Sequence, residues 1–249
     1  PTLAMLVERA GQISNFQKEK YFNVELDCDG IPAVKSKIFD PDEAEQLRSR
    51  CQGSEAIVTA VKEAEKKVKA PKLYDLTTLQ REANRIYGMT AKQTLDTAQS
   101  LYEKKLITYP RTDSQYLTED MEQTARNVVR QIYEKYQLTG PFDQPEQPDV
   151  KKVMNNSKVT DHHAIIPTLE LASCHLDELK SWEEKILFLI AVHTVMAMSK
   201  DHIYQETEIE VECQGEIFKA KGKTVLQDGW KLFENCFKNK DRMAIADPD

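Results

Sequence analysis

The sequence holds no Cys-x-x-Cys pair. Its five cysteines, Cys28, Cys51, Cys174, Cys213 and Cys236, are odd in number and far apart. That argues against a zinc site or a disulfide scaffold and fits a reducing cytoplasm. No apolar run approaches the roughly 20 residues that a membrane-spanning helix needs. The opening Pro1-Thr2-Leu3-Ala4-Met5-Leu6-Val7-Glu8-Arg9 is partly apolar but has no basic stretch ahead of it, so it does not read as a secretory signal. Internal repeats and low-complexity tracts are missing as well. Positive charge is not in excess either: the formal net charge is −7, which taken alone argues against a nucleic-acid partner.

What is present reads as globular. Of the 249 residues, 40% are apolar and 30% charged, enough for one large domain or two ordinary ones, each with its own core. The first residue is not Met and the chain stops at Asp247-Pro248-Asp249 just after an apolar segment, so a piece of a longer polypeptide is expected. The charge is uneven. Between Lys62 and Arg111 there are 11 Lys and Arg against 6 Asp and Glu, a local +5, leaving −12 elsewhere. Such a segment serves either to keep a long strand or helix end soluble or to meet a polyanion, and composition does not choose.

Residues 3–17 have helical spacing. Tyr21 to Cys28 and Ile31 to Phe39 alternate about the turn signal Asp29-Gly30. Asp40-Pro41-Asp42-Glu43 predicts a helix start, with Asp40 as cap and Glu43 as its reciprocal partner, and an end near Gly53. A long strand is expected over Ile57–Val68. At Pro71 the pattern turns helical. One helix runs over Thr77–Tyr87 to Gly88. A second opens at Thr90-Ala91-Lys92-Gln93 and carries Leu95, Ala98, Leu101 and Tyr102 inward. A third covers 119–136, a polar loop 137–160, and an apolar helix runs from Ser181 through Met198. Alternation returns after Lys200, with a turn at Gly215. The expected fold is therefore α+β, a mostly helical domain (72–201) inserted into a β-rich one (18–71 and 202–235).

The informative stretch is Leu106-Ile107-Thr108-Tyr109-Pro110-Arg111-Thr112-Asp113-Ser114. Pro110 biases Tyr109 toward extended backbone, and in an extended chain residues i and i+2 point the same way. The phenol of Tyr109 and the guanidinium of Arg111 would share a face. That pairing suits attack on a phosphodiester: a free phenol titrates near 10, a nearby cation favours the phenolate, and Arg offers a planar fork to phosphate oxygens. A Tyr-x-Arg in a strand is also commonly structural. Asp161-His162-His163-Ala164-Ile165-Ile166-Pro167-Thr168 adds two adjacent histidines, whose side chains diverge and so are poorly placed to share one metal. A phosphate contact or a plain surface role stays open for them.

The run Leu106–Ser114 resembles the active-site signature of type IA DNA topoisomerases. Pro after the tyrosine resembles the bacterial topoisomerase III branch, where topoisomerase I usually has Met. Asp161–Thr168 is similar to the family's second motif, Pro1–Arg9 to the helix following its Arg-Val-Gln motif, and Asp228-Gly229-Trp230 to the closing of its β domain. The resemblance covers essentially the whole chain. It implies that Tyr109 forms a 5′-phosphotyrosine link, that Arg111 positions and neutralises the scissile phosphate, and that His162 lies near that phosphate. Arg111 and His162 would then be the DNA contacts. No role passes to His163, Asp113 or Ser114.

The resemblance further implies that residues 18–71 and 202–235 are the family's hinge domain, the arch of its torus. Residues 1–17 would be a helix leading out of the gate domain and 236–249 the start of the return to it. The Toprim domain, with its acidic Mg²⁺ cluster and a lysine, would precede the chain. Mg²⁺ is thus expected in a full-length enzyme and no metal site in these residues. Single-stranded DNA and the missing Toprim and gate domains are the expected partners, a membrane is not, and the location is cytoplasmic, with the nucleoid. The chain alone is expected to be inactive. Two other classes compete: a non-catalytic single-strand-binding module, which explains the basic segment but not the motif order, and a tyrosine enzyme of the type IB or recombinase kind, which links to the 3′ end.

Overall fold

Asp29 and Gly30 both take positive φ, 52° and 85°, the conformation that a two-residue primed hairpin demands. Strands β1 (Phe22–Cys28) and β2 (Ile31–Ile38) pair antiparallel from that turn outward. The structure, a computed structural model, describes residues 1–138 and 148–237.

Two compact units divide the chain: 1–65 with 205–224, and 66–204 with the residues from 225 on. The first is built on a five-stranded sheet in the order β1-β2-β5-β4-β3, where β3 is Ile57–Val68, β4 His202–Cys213 and β5 Glu216–Gln227. Gln214 and Gly215, again at positive φ, turn β4 into β5. Helix α2 (Pro41–Cys51) lays Ala44, Leu47 and Cys51 into a small core with Val24, Ala33, Ile38, Val211 and Phe218. Asp40 caps it by accepting from the Asp42 amide at 2.9 Å. Glu43 makes no reciprocal bond, because a cap spent on the second amide leaves the capping-box geometry unformed. Helix α1 (Thr2–Ser14) buries no residue.

The second unit is helical. Its core gathers α3 (Leu76–Tyr87), α4 (Ala91–Glu103), α5 (Glu122–Tyr136) and α6 (Ser181–Ala197). Helix α6 is apolar nearly all round and accordingly buried on most sides. The expected box at Thr90/Gln93 forms, a further one forms at Asp75/Thr78, and Gly88 closes α3 in the left-handed region. Tyr102 departs from expectation. Thr94, Ala98 and Leu101 make the buried stripe of α4, while Tyr102 is 39% exposed, one step past the stripe where the helix ends.

Residues 229–237 also depart from the expected β-rich span 202–235. They form 3-10 turns that bury Phe233, with Trp230 and Leu232 beside it, in the helical core. Strand β5 ends at Gln227, and its buried alternation has already stopped at Ala220. Gly229 makes the crossing possible: a Cβ there would stand 2.3 Å from the Asp201 carbonyl oxygen. In the expected loop 137–160, the described part carries short 3-10 turns that bury Val150 and Val153. The prolines Pro141 and Pro145, and the expected return segment 236–249 beyond Phe237, lie outside the described residues.

Candidate active site

Helix α4 ends at Glu103, and Lys105 takes a φ of 61°, which turns the chain out of the helix. The turn is anchored from α6. Glu183, only 3% exposed, accepts from Ser100 Oγ at 2.7 Å, Lys104 Nζ at 2.6 Å and the Lys180 amide at 3.0 Å. Burial pushes the Glu183 carboxyl up, but the Lys104, Ser100 and Lys180 hydrogen bonds outweigh it and hold the group below the ordinary carboxylate range.

Beyond the turn, residues 106–117 run extended along 162–168. The Thr108 amide donates to the Ile166 carbonyl at 2.9 Å, and Thr108 Oγ1 donates to the Ala164 carbonyl at 2.9 Å while accepting from the Ile166 amide. Ile107 bridges Pro167 antiparallel, and the Thr168 amide donates to the Leu106 carbonyl at 3.0 Å. Further along, buried Thr112 donates from Oγ1 to the His162 carbonyl at 3.0 Å, and the Ala164 amide donates to the Tyr116 carbonyl at 2.9 Å. The two candidate motifs, some fifty residues apart in sequence, are thus stitched into one patch. Thr108 and Thr112 do the stitching; they were in plain view in the motif, but nothing local tells a stitching hydroxyl from a reacting one.

Along this strand Pro110, Thr112 and Ser114 are buried, whereas Tyr109 is half-buried and Arg111 and Asp113 are exposed. The alternation puts Tyr109 and Arg111 on the outward side. The Tyr109 ring lies 4.4 Å from the His162 ring, centroid to centroid, and 5.3 Å from that of Tyr102, edge on. The exposure of Tyr102 therefore gives Tyr109 a second aromatic wall. Arg111 and His162 line a shallow groove of about 440 Å³ with Asp75, Thr77, Asp113 and Thr160. Arg111 has no hydrogen-bond or ion-pair partner among the described residues, so its fork is open to a ligand. His163 is different: its Nδ1 lies 2.9 Å from the Ala164 carbonyl, to which it donates, and it does not line the groove.

Among the described residues no group of three His, Cys, Asp or Glu side chains is arranged to hold a metal ion. A larger cleft, about 810 Å³, lies elsewhere, around Tyr74, His193 and Trp230. His193 stacks on Tyr74 at 3.7 Å, donates from Nε2 to the Lys72 carbonyl at 2.7 Å, and is pushed by burial down to about 4. A buried imidazole that is engaged through Nε2 and stacked on Tyr74 holds the segment before α3. Lys72 and Arg81 line that cleft as well, but its tyrosine, Tyr74, is 2% exposed and so offers no outward phenol.

A family model described as DNA topoisomerase matches residues 1–246. The chain belongs to the DNA topoisomerase family. It is 38% identical over 251 residues to DNA topoisomerase 3 of Bacillus subtilis, an alignment covering 97% of this chain and 34% of that protein. It is 33% identical over 264 residues to DNA topoisomerase 3 of Bacillus cereus, again 97% of this chain and 34% of the relative. Among solved structures it is similar to full-length topoisomerase I from Thermotoga maritima, with a TM-score of 0.70 and 26% identity, covering 94% of this chain and 39% of that one. This topoisomerase-family chain thus spans about a third of the length of the curated relatives it matches.

Proposed function

We propose that this chain is the strand-cleaving portion of a type IA DNA topoisomerase of the topoisomerase III kind, with Tyr109 as nucleophile. The observation that carries the proposal is the contact of the Tyr109 and His162 rings at 4.4 Å, with Arg111 unpaired in the groove that His162 lines. A phosphodiester entering that groove meets a bidentate cation and an imidazole whose ring touches the half-buried phenol of Tyr109.

The reaction needs few parts. The Tyr109 phenol loses its proton and its oxygen bonds to phosphorus. The bond from phosphorus to the 3′ oxygen breaks, and that oxygen takes up a proton. Arg111 neutralises charge gathering on the non-bridging oxygens, and His162 borders the same phosphate. The reverse attack by the 3′ hydroxyl reseals the strand. One phosphoester replaces another, so bond energy is kept and ATP is not required. Passage of a second strand while the link exists changes DNA topology.

Mg²⁺ belongs to this proposal only as a ligand of residues outside the chain, in a Toprim domain that would close on the groove, and none of the steps above runs through it. The chain by itself then forms no adduct with Mg²⁺, and the longer protein does. Action on DNA in the cytoplasm follows from the same reading. The test uses single-stranded DNA labelled at one end or the other, incubated with the longer protein and quenched with denaturant. A covalent adduct through the 5′ phosphate supports the proposal. Attachment through the 3′ phosphate points to the type IB or recombinase chemistry, and DNA binding with no adduct to a non-catalytic module.

A further inference from the structure

Three short segments meet at the groove: Asp75–Thr77, Arg111–Asp113 and Thr160–His162. The same three segments meet again a few residues away, where Lys72, Tyr116 and Lys158 come together. Lys158 Nζ lies 5.0 Å and Lys72 Nζ 5.5 Å from the centre of the Tyr116 ring. Each segment links the two places by two or three residues, so they are at most about 11 Å apart along an extended chain. Both lysines are exposed, and neither has a carboxylate partner among the described residues.

We infer that Lys72, Tyr116 and Lys158 form a second DNA seat beside the cleavage groove, in which one base of the single strand rests on the Tyr116 ring and the lysines take the flanking phosphates. The inference rests on the proposed reading of Tyr109 and adds to it where the strand goes after leaving Arg111.

Aromatic faces flanked by cations are how single strands are held without regard to sequence. The seat is also built rather than incidental. Ser114, 5% exposed, donates from Oγ to the Lys158 carbonyl at 2.9 Å and accepts from the Tyr116 amide at 3.2 Å, so one buried hydroxyl fixes two of the three members. The third is fixed by His193, whose ring holds the Lys72 carbonyl. The concentration of positive charge registers on the phenol. Burial pushes Tyr116 upward, yet the Lys72 hydrogen bond and the charges of Lys72 and Lys158 bring it below its ordinary value. Asp113 and Asp161, which line the adjacent groove, do not pair with either lysine. Their hydrogen-bond partner is the neutral Tyr116 phenol, and a polyanion gives these two cations the anionic partner that no described carboxylate supplies.

The test is binding of a fluorescent oligothymidine to the 249-residue chain, followed by anisotropy over a range of salt. The unmodified chain is compared with Lys72→Ala/Lys158→Ala, Tyr116→Leu, Tyr116→Phe and Arg111→Ala. The expected results are a salt slope smaller by about 1.4 in the double lysine variant, and affinity lower by roughly five- to a hundredfold in Tyr116→Leu. Tyr116→Phe keeps affinity because it keeps the ring, which separates stacking from loss of fold. If the double lysine variant and Tyr116→Leu bind like the parent while Arg111→Ala binds less, the second seat is wrong and the cleavage groove survives. If the unmodified chain does not bind, the seat is also wrong. Failure of the cleavage reading shows separately, as absence of a covalent adduct from the longer protein.

Discussion

Replacing Glu183 with Gln removes the charge at the anchor from which the Tyr109 segment starts. The carboxylate is 3% exposed and takes three donors, two of them, Ser100 Oγ and Lys104 Nζ, from the end of α4. A hydrogen bond to a buried charge contributes about 1.5–3 kcal/mol, and breaking a buried pair costs about 3–5 kcal/mol. The Lys104 side chain is 41% exposed and can return to water when its partner is lost, so Glu183→Gln is expected to cost about 2–3 kcal/mol. Lys104→Met strands the carboxylate and is expected to cost at least as much. The double variant should fall short of the sum by about 1 kcal/mol or more, since the two side chains share one interaction. Both tryptophans, Trp182 and Trp230, lie in the helical unit, so their fluorescence during urea unfolding reports that unit alone. Glu183 is held below the ordinary carboxylate range, so its contribution is complete above that range and is lost as pH falls through the lowered value. A cost below about 0.5 kcal/mol for Glu183→Gln, the range of ordinary surface changes, together with strict additivity in the cycle, would refute the reasoning.

Asp201 accepts from the Ala70 amide and from Lys152 and Lys67. Burial works upward on it, but these donors outweigh that and hold it at about 2 against 3.8. Its contribution of about 2 kcal/mol is therefore expected to be present above pH 4 and to vanish as pH falls to 2, and Asp201→Asn should flatten that part of the stability profile. Gly229→Ala places a methyl against the Asp201 and Lys200 carbonyl oxygens at a φ of 54°; a loss of about 2–4 kcal/mol is expected in the helical unit by the same fluorescence assay. Arg111→Ala in the longer protein should lower the cleavage rate about a hundredfold in single-turnover assays, with Arg111→Lys recovering only part of it, since Lys keeps the charge and loses the fork.

The elements that announce themselves locally were legible in the sequence. Asp29-Gly30 gave its hairpin, Thr90 and Gln93 their reciprocal cap, and the apolar run from Ile186 the buried helix α6. Tyr109, Arg111 and His162 could be nominated through the resemblance of their two motifs to the family's, since a Tyr-x-Arg spacing and a pair of histidines leave a structural role equally open. What brings them together was not legible. The bonds from Thr108 and Thr112 to 162–168 span some fifty residues, and those from Glu183 to α4 about eighty. No periodicity records such pairings. Glu183 could be read only as an N-terminal helix residue, which it is through the Lys180 amide; its partners on α4 depend on how the helices pack. Trp230 and Phe233 were misplaced with the strands for a related reason: a short apolar 3-10 segment has no period of its own, and its neighbour is chosen by the tight crossing at Gly229.

The central claim, that Tyr109 carries the DNA, is tested most directly by locating the covalent link. The longer protein is trapped on single-stranded DNA with denaturant, digested with nuclease and protease, and the nucleotide-bearing peptide is sequenced by mass spectrometry. Three tyrosines, Tyr102, Tyr109 and Tyr116, lie within fifteen residues of one another, and Tyr102 touches Tyr109, so the assay discriminates among near neighbours. The account predicts a phosphonucleotide on Tyr109 alone and none in Tyr109→Phe. A nucleotide on Tyr102 or Tyr116, or an adduct that persists in Tyr109→Phe, would contradict it.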